Sequence, residues 1–269
     1  MLKLILSLLT VSFVSVVQAS ETVPCLIEPT QQVSLGVPVT GVLSQVLVKR
    51  GSLIRQGQVL ATLESSVEQA TLKLSQYKAQ QTANLTLTEQ KLTFAQQKFE
   101  RRQAMANDQL MPEQEKNDAE AEYKQAEAEH LLAQENHQLA ALEYQQQKAQ
   151  VALRTLRSPI TGVVTEQSAY VGEVVEANSN GKPVLKLAQL HPLRVQLILP
   201  QRYFGQFKVN QAIELSPEQP MTGKYIAKVK TIDKVLDAAS GTFMVFLELP
   251  NPNLTLPAGI RCTARINPL

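Results

Sequence analysis

From Leu63 to Arg157 the chain contains no glycine and a single proline, Pro112. The stretch is rich in Gln, Ala, Glu, Leu and Lys, which lose little freedom in a helix, and nothing else in it breaks the backbone. One uninterrupted helix of that length would run ~140 Å at 1.5 Å per residue. The breaker sits near the middle, in Asn107-Asp108-Gln109-Leu110-Met111-Pro112. The spacing therefore predicts two helices of equal length joined by a tight turn, with Pro112 as the first residue of the returning helix.

The returning arm has a seam. Ala119, Ala126, Ala133 and Ala140 recur every seven residues, and Tyr123, His130, His137, Tyr144 and Val151 recur beside them, giving steps of three and four. The outgoing arm offers Val67, Ala70, Leu74, Tyr77, then Leu85, Thr88, Leu92, Ala95 and Phe99. Its step of eleven from Leu74 to Leu85 is a stutter that relaxes a left-handed supercoil. The expectation is an antiparallel two-helix coiled coil of about 65 Å. Its seam is thin, so neighbouring copies would supply part of its stability.

Ahead of the block, Lys3 precedes an apolar run from Leu4 to Val17, followed by Val17-Gln18-Ala19 and Ser20. That order reads as a secretory signal peptide over residues 1–19. The run is short for a membrane span of about 20 residues, so cleavage after Ala19 is preferred to an uncleaved anchor. The mature protein is then expected outside the cytoplasm. Ser20 rather than cysteine follows the cleavage site, so no lipid anchor is expected. Cys25 and Cys262 are the two cysteines of the chain. In an exported protein they read either as a disulfide or as two buried thiols. The formal net charge of +2 gives no basic face for nucleic acid.

Glycine and proline return only outside the helical block, and in a pattern. Pro38-Val39-Thr40-Gly41-Val42-Leu43 is followed by Gly51 and Gly57, and Pro159-Ile160-Thr161-Gly162-Val163-Val164 by Gly172; the first two glycines are ten apart in each half. This is an internal repeat of short β-runs and glycine turns, split by the helices. Neither half can bury an apolar face alone, so the two must pack on each other at the base of the hairpin, with extra loop residues at Asn178-Ser179-Asn180-Gly181. After His191 come five further β-runs, as in Leu193–Leu199 and Thr242–Leu249. They predict a small barrel that needs one more strand, for which Cys25 to Glu28 is the spare segment.

Chemistry is hard to find. His130 and His137 lie about 10 Å apart along one helix face, too far to share a metal ion, and read as seam residues. No Gly-rich phosphate loop precedes a helix, and no Ser or Cys has an evident His partner. No catalytic residue, metal site or cofactor is expected.

In this setting the two split halves resemble the lipoyl-type domain of periplasmic adaptor subunits, or membrane fusion proteins, of the family serving resistance-nodulation-division pumps and haemolysin-type secretion. Thr155-Leu156-Arg157-Ser158-Pro159-Ile160-Thr161-Gly162-Val163-Val164 is similar to the stretch where that family's second helix re-enters the lipoyl domain. Val235-Leu236-Asp237 with Ser240-Gly241-Thr242, and Pro250-Asn251-Pro252 with Leu256-Pro257-Ala258-Gly259, resemble the closing strands of the adaptor barrel. At the hairpin tip the family often carries an arginine, a leucine four on and a serine seven further. Arg101 matches, while Met105 and Pro112 stand in place of the other two.

The expected fold is mixed α and β: a split lipoyl-like β-sandwich with an inserted antiparallel α-helical coiled-coil hairpin, then a small β-barrel. The divisions are 20–29 as an N-terminal strand joining the barrel, 30–64 and 157–190 as the lipoyl-like halves, 65–156 as the hairpin and 191–269 as the barrel. The lipoyl turns fall at Gly41, Gly51, Gly57, Gly162 and Gly172. The resemblance implies a non-enzymatic adaptor linking an inner-membrane transporter to an outer-membrane channel. It ranks a resistance-nodulation-division transporter ahead of an ATP-binding-cassette one, and implies a homo-oligomeric ring of six. The chain ends at Leu269, just after the barrel runs, so docking on the transporter is expected through the barrel and lipoyl faces. Arg101, Met105, Leu110 and Met111 are the expected channel contact, the plainer reading being that Met105 and Leu110 cap the seam. Two other classes remain. A lipoyl or biotinyl carrier domain would need a lysine where Glu64-Ser65-Ser66 opens into helix, and a coiled-coil scaffold would work without a transporter.

Overall fold

The computed structural model describes residues 21–177 and 182–266. The signal peptide expected over 1–19 and the loop at Asn178–Gly181 lie outside the described residues. In chain order the elements are β1 (Glu21–Leu35), β2 (Gly41–Val46), β3 (Leu53–Ile54), β4 (Val59–Leu63), α1 (Ser66–Ala79), α2 (Ala83–Asn107), α3 (Glu113–Ala152), β5 (Thr155–Arg157), β6 (Gly162–Gln167), β7 (Val174–Val175), β8 (Leu185–Pro200), β9 (Ala212–Pro217), β10 (Tyr225–Ile232), β11 (Thr242–Leu249) and β12 (Ile260–Ile266).

Two apolar cores organise the strands. In the first, β1, β12, β9, β10, β11 and β8 follow one another, and β1 pairs back onto β8, so the sheet closes into a barrel. Alternate side chains of these strands point inward, among them Ile27, Val195, Leu197, Leu215, Val229, Val245 and Leu247. Closure leaves no free edge along the barrel wall. Cys25 and Cys262 are direct cross-strand partners on β1 and β12, with Cα atoms 4.8 Å apart and sulfurs at bonding distance. In the second core, Leu43, Leu60 and Leu63 from before the helices meet Leu156, Ile160, Val164, Leu185 and Leu187 from after them. Strand pairing crosses between the halves as well: β2 with β7, β3 with β6, β4 with β5.

The boundaries expected at 29/30 and 190/191 fall inside single strands. β1 and β8 run unbroken from the barrel into the sandwich, paired from Cys25↔Leu197 to Leu35↔Leu185, with a bulge between Pro29 and Gln31. A bulge bends and twists a strand without ending it, which lets one strand pair serve two cores.

The glycines divide into two kinds. Gly51, Gly57 and Gly172 occupy turns with φ of 86°, 81° and 90°, where an L side chain is disfavoured. Gly41 and Gly162 are not turn residues but open strands β2 and β6. Their constraint is space: a Cβ on Gly162 would lie 2.1 Å from the Ala188 carbonyl oxygen, and one on Gly41 would lie 2.7 Å from Arg154 Nη1.

The outgoing arm is not one helix. It breaks at Gln80-Gln81-Thr82 into α1 and α2, both packed on α3. The inward residues of α2 and α3 are those the spacing names: Thr88 and Ala95 are buried opposite Ala119, Ala126 and Ala133. On α1 the frame differs. Glu68, Leu72, Ser75 and Ala79 turn inward, Ser75 being buried, while Val67, Leu74 and Tyr77 are exposed. The three-residue break absorbs the change of frame between α1 and α2. Leu74 is therefore not a seam residue.

Candidate functional site

The hairpin projects as a lever of about 60 Å, from 40 residues of α3 at 1.5 Å each. At its root, Arg154 forms an ion pair with Glu68 at the start of α1 and donates from Nη1 to the Thr40 carbonyl at 3.2 Å. The Arg154 carbonyl accepts from Leu63 N–H at 2.8 Å, and Glu64 Oε1 accepts from Ser66 N–H at 2.9 Å. Both arms are thus tied to the sandwich through one arginine. The sequence reading missed this residue, because nothing in local spacing relates position 68 to position 154. Glu64-Ser65-Ser66, where a carrier domain would present its lysine, leads directly into α1.

Along the lever, Phe99 stacks on Tyr123 with ring centroids 5.9 Å apart. His130 Nδ1 lies 3.1 Å from Thr88 Oγ1 and its Nε2 lies 2.8 Å from the Gln134 amide, so both ring nitrogens serve the seam and its flank. Among the described residues no group of three or more His, Cys, Asp or Glu is placed to hold a metal ion. Lys98 donates to Glu122 at 2.5 Å, and this hydrogen bond holds the Glu122 carboxyl below its ordinary range.

The tip is a helix stop made without glycine. Gln109 has φ of 58°, its N–H donates to the Ala106 carbonyl, and the Leu110 N–H donates to the Met105 carbonyl at 2.9 Å. These two bonds define a Schellman motif, with Gln109 in the left-handed position that glycine usually takes. Pro112 then stands with ψ of 142° as the N-cap of α3, one residue earlier than expected. Arg102 fastens the arms by donating to the Glu115 carbonyl at 3.2 Å. Arg101 is exposed and has no hydrogen-bond or ion-pair partner among the described residues. Leu110 is 72% exposed and Met105 44%, while Met111 is half-buried. Neither Leu110 nor Met105 is buried over the end of the seam.

The whole is a helical lever rooted in a two-layer sandwich, followed by a closed barrel that shares two strands with it. Over residues 31–186 the chain matches the family described as the CzcB-like, barrel-sandwich hybrid domain, and it belongs to that family, one of membrane fusion proteins. The pyoverdine export membrane fusion protein PvdR of Pseudomonas putida is 32% identical over 180 residues, covering 66% of this chain and 46% of PvdR. PvdR of Pseudomonas aeruginosa is 26% identical over 183 residues, covering 68% of this chain and 47% of its own. The chain thus spans about half the length of the curated relatives it matches. In fold it is similar to MacA of Actinobacillus actinomycetemcomitans, with a TM-score of 0.74 at 21% identity, covering 93% of this chain and 79% of that one. It is also similar to the membrane fusion protein Spr0693 of Streptococcus pneumoniae, with a TM-score of 0.65 at 15% identity over 93% of this chain and all of that one.

Proposed function

We propose that this protein is a periplasmic, non-enzymatic adaptor of a tripartite export system, linking an inner-membrane transporter to an outer-membrane channel. The observation that carries the reading is the hairpin tip: a guanidinium at Arg101 with no partner among the described residues, near exposed Leu110 and Met105, at the end of a lever that no other described part of the chain reaches. Seam packing does not account for Leu110, which stands in solvent. Arg101, Met105, Leu110 and Met111 form the channel contact. The barrel and sandwich dock on the transporter, of the resistance-nodulation-division type ahead of the ATP-binding-cassette type. Copies assemble as a ring, six being the family number, and the wall of hairpins seals the path. Export by family relatives such as PvdR supports the direction of transport. The substrate is a matter for the transporter.

The test is the double substitution Arg101→Asp with Leu110→Asp, assayed for export in a strain that depends on the transporter genes beside this one. Lost export with an unchanged melting temperature supports the reading. Preserved export, or loss only in step with unfolding, overturns the tip contact, and unchanged export on deletion of the whole gene overturns the adaptor role.

A further inference from the structure

The hairpin carries a second apolar stripe besides its seam. With the inward residues of each helix lettered a and d in heptads, Val67 and Leu74 of α1, Leu87 and Phe94 of α2, and Leu132 and Leu139 of α3 all fall at position c. All six are between 52% and 74% exposed. The f positions next to them include Tyr77 and Leu142, also exposed. The opposite flank, positions e and b, is polar, with side chains such as Glu89, Gln96, Glu127 and Gln134, except for one exposed leucine, Leu131. A monomer seldom leaves so many large apolar side chains aligned in water.

Where the stripes lie is fixed by ion pairs. Lys91 reaches Glu129 at 3.7 Å and Lys98 reaches Glu122 at 2.5 Å, and all four are at g. In antiparallel helices g faces g, so these pairs mark one broad side of the hairpin. Position c is the neighbour of g around the helix, so the c stripes form the two outer shoulders of that same side, one on α1 and α2, the other on α3. Two different stripes on opposite edges are what a heterologous, head-to-tail ring needs; an isologous dimer would need one. On each helix c lies about 130°, and f about 180°, from the seam at 3.5 residues per turn. Twelve helices in a closed ring require contacts about 150° apart on each helix, measured on the inner side, which falls between those two values.

Resting on the ring reading above, we infer that successive copies pack c/f shoulder to c/f shoulder, and that the g side with its Lys91–Glu129 and Lys98–Glu122 pairs lines the conduit. The e and b side, polar apart from Leu131, faces outward. The lumen wall is then a charge-balanced ladder of paired lysine and glutamate, without a net field along its helical part. Leu87 and Leu132 stand at the same height, because their neighbours Thr88 and His130 are in contact at 3.1 Å. In a cyclic ring, Leu87 of one copy therefore meets Leu132 of the next, whereas within one chain the two lie on opposite edges and point apart, out of disulfide reach.

The test uses the full chain with Leu87→Cys and Leu132→Cys together, oxidised and run without reductant. A covalent ladder from the double variant, and none from either single variant, is expected. Dimers from a single variant overturn edge-to-edge packing in favour of two-fold pairing, and no ladder at any concentration overturns the ring and this inference together. In the assembled form, single variants Asn136→Cys at g and Gln138→Cys at b are labelled with a bulky polyethylene glycol maleimide, with wild type as the blank. Position 138 should react several-fold faster than 136, and the two should react alike in the dissociated chain. Equal rates in the ring, or faster reaction at 136, overturn the assignment of the lumen side while leaving the ring intact.

Discussion

Replacing Gly162 by alanine tests how closely neighbouring strands within one layer of the sandwich, β6 and β8, are packed. Gly162 opens β6 and pairs with Ile54 of β3, while the next residue, Val163, pairs with Ala188 of β8. A Cβ at 162 would stand 2.1 Å from the Ala188 oxygen, 2.8 Å from its carbonyl carbon and 3.1 Å from Gln189 Cα. A carbon and a carbonyl oxygen in favourable contact sit about 3.3 Å apart, so the strands must separate by about 1 Å. The obstacle is backbone on both sides, and no side chain can rotate away to relieve it. The cost belongs at the upper end of overpacking, about 3 kcal/mol. For a protein of this size that lowers the melting temperature by about 6–12 °C. Two further alanines calibrate the measurement. Gly51 has open space around it but a φ of 86°, so Gly51→Ala should cost about 1–2 kcal/mol from backbone strain alone. Gly36 has neither a close neighbour nor a left-handed φ, so Gly36→Ala should be neutral or stabilising by about 0.4–1 kcal/mol through the unfolded chain. Thermal and urea denaturation of the three variants give the order directly. If Gly162→Ala melts alongside Gly36→Ala, the close-approach argument is wrong.

Three other outcomes follow from the geometry. Gln109→Gly at the tip should raise stability by about 0.5–1 kcal/mol by removing left-handed strain from the Schellman position, read as a higher melting temperature of the helical circular-dichroism signal. A bond between Cys25 and Cys262 closes a loop across a sequence separation of 237, so reduction or Cys262→Ser should cost about 5 kcal/mol of barrel stability; equal thiol labelling of denatured protein before and after reduction would refute the bond. The Lys98 hydrogen bond depresses the folded-state pKa of Glu122, so its stabilisation is present above the unfolded carboxylate value and is lost as pH falls through the lower, folded value. Glu122→Gln should therefore melt below wild type near neutral pH and coincide with it once both carboxyl states are protonated, and a gap that persists in acid would contradict this.

What could be read in the sequence and what could not differ by the range of the interaction. The hairpin, the split β-repeat and the extra barrel strand are visible because each rests on a local signal: an absence of breakers, a ten-residue glycine spacing, an alternating run. Arg154 at the root and the Gly162 approach to Ala188 were invisible, since each depends on a partner brought close only by folding. Gln109 was missed for the opposite reason, because a stop normally announced by glycine is made here by an ordinary side chain held by two backbone bonds.

The misplaced frame of α1 is the most instructive case. Periodicity reasoning assumes that the larger apolar residues face the partner helix, and with a stutter between Leu74 and Leu85 it puts Leu74 and Val67 on the seam. Yet this seam is a close one. Its buried residues are Ser75, Thr88, Ala95, Ala119, Ala126 and Ala133, small side chains that let two helices approach, with rings such as Phe99 and Tyr123 filling the gaps. Leu74, Leu87, Leu132 and Leu139 are left for the outside, while Leu72, Leu85 and Leu92 stay partly buried on the seam face. Ser75 donates its hydroxyl to the Leu72 carbonyl at 2.9 Å and so enters the seam with its polar atom satisfied. A helix with two apolar stripes has two self-consistent heptad frames, and size selects the wrong one when the intramolecular contact is the tighter of the two. The break at Gln80-Gln81-Thr82 is the physical sign that the frames differ, because three residues out of helix are enough to change which face α1 turns to α3 and so align Val67 and Leu74 with Leu87 and Phe94.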